Sequence, residues 1–483
     1  MPSPTSSPCD LTAIDQLALL DAKTISATEL LEAHLTRIDM ANSAVNALVD
    51  IRPDIAAASA AAVDSTRAAG GDPGPLGGLV MGLKELSDVA GFRTTFGTPS
   101  RRDNMSTIDA HHVARLRGAG GVCVARTNSP EFGAGSHTFN AVYGLTRNPW
   151  DLSKSAGGSS GGSAVGLATG MVAIADGSDE GGSLRNPAAW AGIVGFRPTP
   201  GVVPKVGGNS WNPNTTSGPM ARTVDDLALL LGVMNQRDDG DPLWNSVDCT
   251  VPVNPLEEAK VAWSRDVGGL PIEQGISDAV SRAVGVVESM GWSVEHDEPD
   301  LSTADDIFQT LRTFRRPSSM APFMDAVDSI KAAIVNELES SRVLTAHEVD
   351  KAYVALGQLR QRVLAFFDSY DILIAPVTQI EPFPVELEHP TEVAGVTMSS
   401  YIEWMRSCSR ITALGVPALS LPIGLSAAGL PVGLQIIGRP GADDQVLRAA
   451  KAIETAIGTL PQLKLESLAG IASDPWVVSA VMR

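Results

Sequence analysis

"GGSSGGSAVGLATGMVAIADGSDEGGS", residues 157–183, has a cluster of glycine and serine at each end of an apolar segment. The apolar middle indicates burial, whereas glycine-rich clusters favour turns and close approach of the backbone to a ligand. The stretch therefore predicts two polar loops that are joined through the protein core. The rest of the chain indicates what surrounds them.

Short apolar runs bounded by turn residues alternate with helical patterns along most of the chain. Residues 109–127 read as a helix, a glycine stop and a buried strand, and residues 259–297 read as strand, helix, strand. Helical patterns also cover 11–39, capped at Ser26 or Thr28, and 300–365. Further strands are predicted near 79–84, 171–177, 192–201, 370–378, 418–425 and 430–440. Strands that alternate with helices indicate an α/β fold with a covered sheet.

Composition and charge limit the classes of function. The 483 residues include 55 acidic and 36 basic side chains, for a net charge of −19, and 44% of the residues are hydrophobic. This composition is typical of a globular protein. An acidic surface repels phosphate backbones and anionic lipid, so we expect no nucleic-acid partner and no membrane association.

Cysteine usage and the first residues bear on the compartment. Cys9, Cys123, Cys249 and Cys408 are scattered, without a CxxC pair, which favours reduced thiols and a cytoplasmic protein. The start of the chain lacks a positive segment followed by an apolar run, so no signal peptide is expected. Residues 157–183 are about long enough to span a membrane but too rich in glycine and serine to insert.

The serine clusters contain the pattern G-x-S-x-G twice, centred on Ser159 and on Ser160. In α/β-hydrolases this pattern follows a strand and opens a helix, but here the preceding "NPWDLSKSA" reads as a loop. The chain has seven histidines, and none is close to a similar motif. A Ser-His-Asp triad assembled from distant residues stays open as an alternative.

Lys84 offers a different base. It closes the apolar run "LVMGLK", and burial lowers the pKa of a lysine by disfavouring its charged form. The ordinary alternative for a lysine at the end of a strand is a solvated surface charge.

Several motifs together resemble the amidase signature family. They are "LVMGLKEL", "ARTNSPEFGAGS", "TRNPWDLSKSAGGSSGG", "SDEGGSLRNPAAWAGIVGFRPTPG", "GPMARTVDDLALLLG" and "GLPVGLQIIGRPGADD". The resemblance covers most of residues 79–235 and returns at about 369–456. It implies a central mixed, twisted β-sheet covered on both faces by helices, in one domain over 1–483. It also implies a signature core at about 79–235 and a helical cap over the substrate cleft at about 300–345.

The resemblance assigns roles residue by residue. Ser183 matches the family nucleophile, Ser159 the bridging serine that follows a cis peptide bond, and Lys84 the base. Ser159 and Ser183 are 24 residues apart, as in the family pattern. The backbone N–H groups that match the oxyanion hole belong to Glu180, Gly181, Gly182 and Ser183. Matches to supporting positions are Ser160, Asp179 and Arg185, and Gly133 matches a backbone position beside the substrate carbonyl.

Two positions depart from the family pattern. Glu180 stands where an aliphatic or small residue is usual, and Glu85 stands where aspartate is usual. A carboxylate close to the oxyanion hole disfavours both the oxyanion and a neutral Lys84 unless it points away or is protonated. Neither a metal nor an organic cofactor is implied.

The expected function is hydrolysis of amides through an acyl-enzyme on Ser183, with carbamates (urethanes) and esters as further substrates. Hydrophobic or aryl amides are favoured if the apolar residues at helical spacing in the cap line a cleft rather than fill a core. These residues are Phe308, Leu311, Phe314, Met320, Phe323 and Met324. The alternatives are a glutamine-hydrolysing subunit of an amidotransferase complex and a non-catalytic binding relative. The expected partner is a small-molecule substrate of a monomer or homodimer.

Overall fold

A computed structural model of the chain describes residues 7–323 and 330–461, together with 463, 465 and 468. Its strands are β1 (Leu48–Val49), β2 (Val80–Lys84), β3 (Val122–Thr127), β4 (Phe139–Asn140), β5 (Gly144–Leu145), β6 (Ile174–Asp179), β7 (Val194–Arg197), β8 (Thr216–Ala221), β9 (Lys260–Trp263), β10 (Ser293–His296), β11 (Ile372–Pro376), β12 (Glu392–Val393), β13 (Val396–Thr397), β14 (Ala418–Leu425) and β15 (Pro431–Gly438). Eleven of these strands form one sheet, and the other four form two short hairpins.

The large sheet has the order β1-β3-β2-β6-β8-β7-β14-β15-β11-β9-β10. Strand β2 runs parallel to both β3 and β6, and β9 runs parallel to both β10 and β11. The remaining neighbours are antiparallel. The sheet is therefore mixed, and the predicted α/β class is confirmed.

The helices are α1 (Ala13–Asp21), α2 (Ala27–Val45), α3 (Pro53–Ala68), α4 (His111–Gly118), α5 (Gly161–Ala168), α6 (Arg185–Ala191), α7 (Val224–Met234), α8 (Gln274–Ser289), α9 (Ala304–Met320), α10 (Ala332–Val343), α11 (Ala346–Phe366), α12 (Arg406–Ala413) and α13 (Asp443–Ile457). Helices α4, α7, α8 and α13 contribute to one buried apolar cluster and α2, α3 and α5 to another. Strand β2 separates these clusters, because Met81 and Leu83 belong to the first and Val80 to the second. Both faces of the sheet are covered.

The same alternation places Lys84 on the face of Val80, which α5 covers. This matters because α5 begins immediately after Ser160. The next strand in the sheet, β6, ends at Asp179, four residues before Ser183. Three chain segments that are distant in sequence therefore meet at the carboxyl ends of the parallel strands β2 and β6.

Two helical predictions needed adjustment. The stretch 11–39 contains two helices, and Ser26 caps the second through a capping box with Glu29. The region 300–365 contains α9, α10 and α11, and α9 continues past Pro317 to Met320. The proposed division into a signature core and a helical cap stays a prediction. Among the described residues, no helix is both long and apolar enough to cross a lipid bilayer.

Candidate active site

Lys84 ends strand β2 and is 1% exposed. Its Nζ donates to Ser159 Oγ at 2.7 Å and to Ser160 Oγ at 2.8 Å. Ser178 Oγ, on strand β6, lies 3.1 Å from the same nitrogen. The alternative of a solvated surface charge at Lys84 is therefore wrong, because three serine hydroxyl groups surround this amine.

Burial lowers the pKa of Lys84 to about 7, although Asp176 and Asp179 oppose the shift. The main cause is the loss of water around the ammonium, which destabilises the charged form. No carboxylate forms an ion pair with Nζ among the described residues. A substantial fraction of this lysine is therefore neutral near physiological pH, as a general base requires.

The first serine cluster is held by close contacts at its glycines. The peptide bond between Gly158 and Ser159 is cis. A Cβ on Gly161 would lie 2.3 Å from Thr138 Oγ1, and one on Gly162 would lie 2.2 Å from the Asn128 nitrogen. These glycines allow α5 to begin against neighbouring backbone, which places the two serines before it at Lys84.

The second cluster is joined to the first through the backbone, since the Ser160 N–H donates to the Ser183 carbonyl at 3.2 Å. Ser183 is partly exposed. Its hydroxyl has no hydrogen-bond partner in the described part of the chain, so the Ser159–Ser183 hydrogen bond is not formed here. Catalytic hydrogen bonds often form only when the substrate is bound.

Three of the four expected oxyanion donors are available. The N–H groups of Glu180, Gly181 and Ser183 have no acceptor among the described residues. Gly182 departs from the expectation, because its N–H already donates to Asp179 Oδ1 at 2.9 Å. Gly182 instead has a φ of +115°, which allows the backbone to turn at this position.

Asp179 and Arg185 stabilise the loop 180–183 through an ion pair. Both are fully buried, and the guanidinium donates to the two carboxylate oxygens at 3.1 and 3.0 Å. Leu184 N–H adds a third donor at 3.0 Å. Burial opposes ionisation, but Arg185 and Arg197 outweigh it and lower the pKa of the Asp179 carboxyl. The ion pair therefore stays charged and fixes the loop.

The Glu180 side chain is paired with arginines of α9. Its Oε1 accepts from Arg315, and Arg312 Nε lies 3.8 Å from Oε2. Burial alone would raise its pKa, but Arg315, Arg312 and Arg316 lower it to about 2. The departure from the family pattern is thus accompanied by three arginines on α9.

Glu85, the second departure, is 1% exposed and accepts a hydrogen bond from the Thr95 N–H. Burial raises its pKa to about 7, although Arg126 and the Thr95 hydrogen bonds oppose the shift. Glu85 is thus a second group that titrates in the same pH range as Lys84.

The histidine alternative is not supported for these serines. All seven histidines are described, and none hydrogen-bonds to Ser159, Ser160 or Ser183. His137 pairs instead with Ser155 at 2.7 Å, and both side chains are fully buried. Within the described residues, no histidine is therefore in place to complete a Ser-His-Asp triad on either serine cluster.

Aromatic side chains surround the segment that contains Gly133, and two of them, Phe132 and Phe323, pack against a small core cluster. A Cβ on Gly133 would lie 3.6 Å from Ser159 Oγ, which places this glycine next to the serine. Phe132 precedes it and contacts Phe323, with ring centroids 4.6 Å apart, and Phe96 contacts both rings.

Phe308 of α9 lies close to Gly181, in the loop of expected oxyanion donors. Its Cζ is 3.3 Å from the position that a Cβ on Gly181 would occupy. Phe308 also lines a cavity of about 580 Å³ whose other walls are mostly polar. Of the remaining apolar candidates, Leu311 and Met320 are buried in core clusters and Phe314 is 47% exposed. Met324 lies outside the described residues.

Ser178, Asp176 and Arg315 were not predicted from the sequence. Asp176 Oδ1 accepts the Lys84 backbone N–H at 2.6 Å, and its Oδ2 pairs with His112 at 2.9 Å. Ser178 lies on the same strand and contacts the Lys84 amine instead of its backbone. No motif marks these two residues, and Arg315 lies 135 residues from Glu180 in the sequence.

The mixed sheet holds a buried lysine in contact with two loop serines, an arrangement typical of hydrolases that use a serine nucleophile. The family model "Amidase" matches residues 29–447. The chain belongs to the amidase signature family, and it is an amidase that acts on C–N bonds other than peptide bonds.

Two curated relatives and one solved structure are similar to the chain. It is 32% identical to the acylamidase of Rhodococcus erythropolis, over 92% of this chain and 95% of the relative. It is also 32% identical to a glutamyl-tRNA(Gln) amidotransferase subunit of Acidothermus cellulolyticus, over 92% and 94% of the two chains. The crystal structure of a bacterial aryl acylamidase of the amidase signature family superposes with a TM-score of 0.87, at 27% identity, over 98% of this chain and 100% of that one.

Proposed function

We propose that the chain hydrolyses hydrophobic and aryl amides through an acyl-enzyme on Ser183, with Lys84 as the base and Ser159 as the proton carrier between them. The observation that carries this proposal is the buried contact of Lys84 Nζ with Ser159 Oγ at 2.7 Å. A lysine with a pKa of about 7 can accept a proton at neutral pH. The Ser159 hydroxyl supplies the path of the proton, and the Ser183 hydroxyl supplies the nucleophile.

In the acylation step, neutral Lys84 accepts the Ser159 proton while Ser159 accepts the proton of Ser183. The Ser183 oxygen forms a bond to the carbonyl carbon, and the carbonyl electron pair moves to oxygen. The N–H groups of Glu180, Gly181 and Ser183 donate to that oxyanion, and a donor of this kind typically lowers the barrier by about 3 kcal/mol.

Collapse of the intermediate breaks the C–N bond. The proton returns from Lys84 through Ser159 to the leaving nitrogen, so the amine departs neutral. A water molecule then loses a proton along the same path and attacks the acyl-enzyme. As the bond to the Ser183 oxygen breaks, the proton returns from Lys84 through Ser159 to Ser183, which frees the acid and restores the enzyme. Esters and carbamates form the same kind of covalent intermediate, and we propose them as further substrates.

The substrate class is proposed from the aromatic residues near Gly133, which adjoins Ser159. Phe132 precedes Gly133 in the chain and contacts Phe323. We propose that these rings contact an apolar substituent of the bound substrate. The similarity to an acylamidase and to an aryl acylamidase supports the same class. We further propose that α9 and α10 form the cap over this cleft.

A glutamine-hydrolysing component of an amidotransferase complex is the second candidate, and the similarity to the glutamyl-tRNA(Gln) amidotransferase relative favours it. Such a component works together with partner chains, whereas an acylamidase turns over alone. Purified chain assayed with glutamine and with 4-nitroacetanilide separates the two candidates. Glutaminase activity without cleavage of the anilide would favour the second one.

The proposed function is tested by release of 4-nitroaniline from 4-nitroacetanilide, beside Ser183→Ala and the matched control Ser65→Ala. Ser65 is an exposed serine on α3 whose hydroxyl donates to the Ala61 carbonyl of the same helix. We expect hydrolysis by the unmodified chain and by Ser65→Ala only. Full activity in Ser183→Ala would contradict the proposal.

A further inference from the structure

We propose that Arg315 is a positioning residue for amide hydrolysis, which holds the Glu180 carboxylate away from the oxyanion donors and neutralises it. This inference rests on the proposed function, because it concerns the same oxyanion. It adds a residue that lies in the cap region and that the family motifs do not contain.

The need for such a residue arises from the sequence itself. Glu180 provides one of the three available backbone donors, and its own side chain carries a negative charge. A second negative charge develops on the substrate oxygen at these donors in the transition state. Two like charges close together in a partly buried site repel more than they would in water, so an unpaired Glu180 carboxylate would slow the reaction.

The ion pair with Arg315 meets this need. Its Nη2 contacts Glu180 Oε1, and its Nε donates to the Leu311 carbonyl at 3.0 Å, which fixes the direction of the guanidinium. The side chain of Arg315 is 11% exposed and that of Glu180 is 28% exposed, so solvent screens the pair only in part. The carboxylate is thereby drawn toward α9.

The neighbouring arginines cannot replace Arg315. Arg312 Nη1 lies 2.5 Å from Glu337 Oε1 and its Nη2 contacts the Tyr401 hydroxyl, while Arg316 contacts the other oxygen of Glu337. Arg312 approaches Glu180 only through Nε at 3.8 Å. Both arginines are thus committed to Glu337, and Arg315 is the direct hydrogen-bond donor to Glu180 among the described residues.

These contacts also connect helix α9 to the loop of the oxyanion donors. Phe308, on the same helix as Arg315, packs against Gly181 of the donor loop. A shift of α9 would therefore disturb both the position of the loop and the charge beside it.

The test measures kcat and KM for 4-nitroacetanilide with Arg315→Gln, Glu180→Gln and the double variant. Arg315→Gln leaves the carboxylate without its main partner, so we expect kcat to fall about 10- to 100-fold with little change in KM. Glu180→Gln breaks the same ion pair but also removes the negative charge of the carboxylate. Its decrease in kcat should therefore be several-fold smaller than that of Arg315→Gln. The double variant should be more active than Arg315→Gln alone, and Arg315→Lys should recover most of the loss.

The controls separate this inference from a structural role and from the proposed function. Arg342→Gln breaks an exposed arginine–glutamate pair on α10 and should leave kcat unchanged. If Arg315 acted only as a brace, Glu180→Gln would be as damaging as Arg315→Gln and the double variant would show no recovery, which would overturn the inference. Full activity of Arg315→Gln, beside an inactive Ser183→Ala, would overturn this inference alone. Activity of Ser183→Ala would instead overturn the proposed function.

Discussion

Lys84 Nζ lies 2.7 Å from Ser159 Oγ, although 75 residues separate the two in sequence. Both side chains are almost completely buried, at 1% and 3% exposure. Burial of this lysine disfavours its charged form and lowers its pKa. In the proposed mechanism, the contact lets the neutral amine accept the proton of Ser159.

Ser183→Ala should lower kcat for 4-nitroacetanilide at least about 1,000-fold, because no other group replaces the nucleophile. The midpoint of thermal unfolding should change little, since the hydroxyl has no hydrogen-bond partner in the described chain. Assays at matched protein concentration, beside Ser65→Ala, check both. A variant that unfolds early would not count as evidence for the chemical role.

The two serines at Lys84 should differ in importance. Ser160 Oγ is fully buried and also lies 3.4 Å from the Ser178 carbonyl, whereas Ser159 adjoins Gly133. Ser159→Ala should therefore cost at least about 100-fold in kcat and Ser160→Ala less than about 10-fold. Steady-state kinetics of the two variants decide the order, and an equal loss would mean that the proton path is misassigned.

Activity should depend on pH through Lys84. The neutral amine is the active form, so kcat/KM should rise with pH through an inflection near the pKa of about 7. Glu85, whose pKa is also raised to about 7, could cause the same inflection. Glu85→Gln should therefore keep it. An inflection that disappears in Glu85→Gln, or a flat profile, would speak against Lys84 as the base.

Gly133 should tolerate no side chain. An added Cβ would lie 2.8 Å from Leu86 Cδ1 and 3.6 Å from Ser159 Oγ, at a φ of +69° that disfavours L residues. Gly133→Ala should lower kcat/KM about 10-fold or more, because the added atom must displace Leu86 or shift the backbone beside Ser159. The matched control is Gly207→Ala, which has a φ of +79° and nothing within 4 Å of the added atom. Equal effects of the two variants would indicate backbone strain alone.

Local patterns in the sequence predicted much of this molecule. The apolar run that ends at Lys84 predicted β2, and the capping pattern at Ser26 predicted the start of α2. The helix α5 was harder to foresee, because glycine and serine are weak helix formers and its position depends on contacts with Thr138 and Asn128.

The candidate site residues could be predicted from the sequence only where they belong to a recognisable motif. Lys84, Ser159 and Ser183 stand in recognisable stretches, and the structure places the first two in contact. The occupied N–H of Gly182 depends on the three-dimensional path of the loop around Asp179, which no spacing reveals. The ion pair of Glu180 with Arg315 depends on how α9 packs over the sheet, so it appears only in the folded chain.

The most direct test of the central claim is the rate at which Ser183 becomes acylated. A phenyl carbamate forms a stable carbamyl-enzyme that peptide mass spectrometry can locate, and the rate is compared between the unmodified chain and Lys84→Met at pH 8. Methionine fills the same buried space without a titratable amine. We predict a single adduct, on Ser183, that forms at least about 100-fold more slowly in Lys84→Met. An adduct on another residue, or equal rates in the two proteins, would contradict the account.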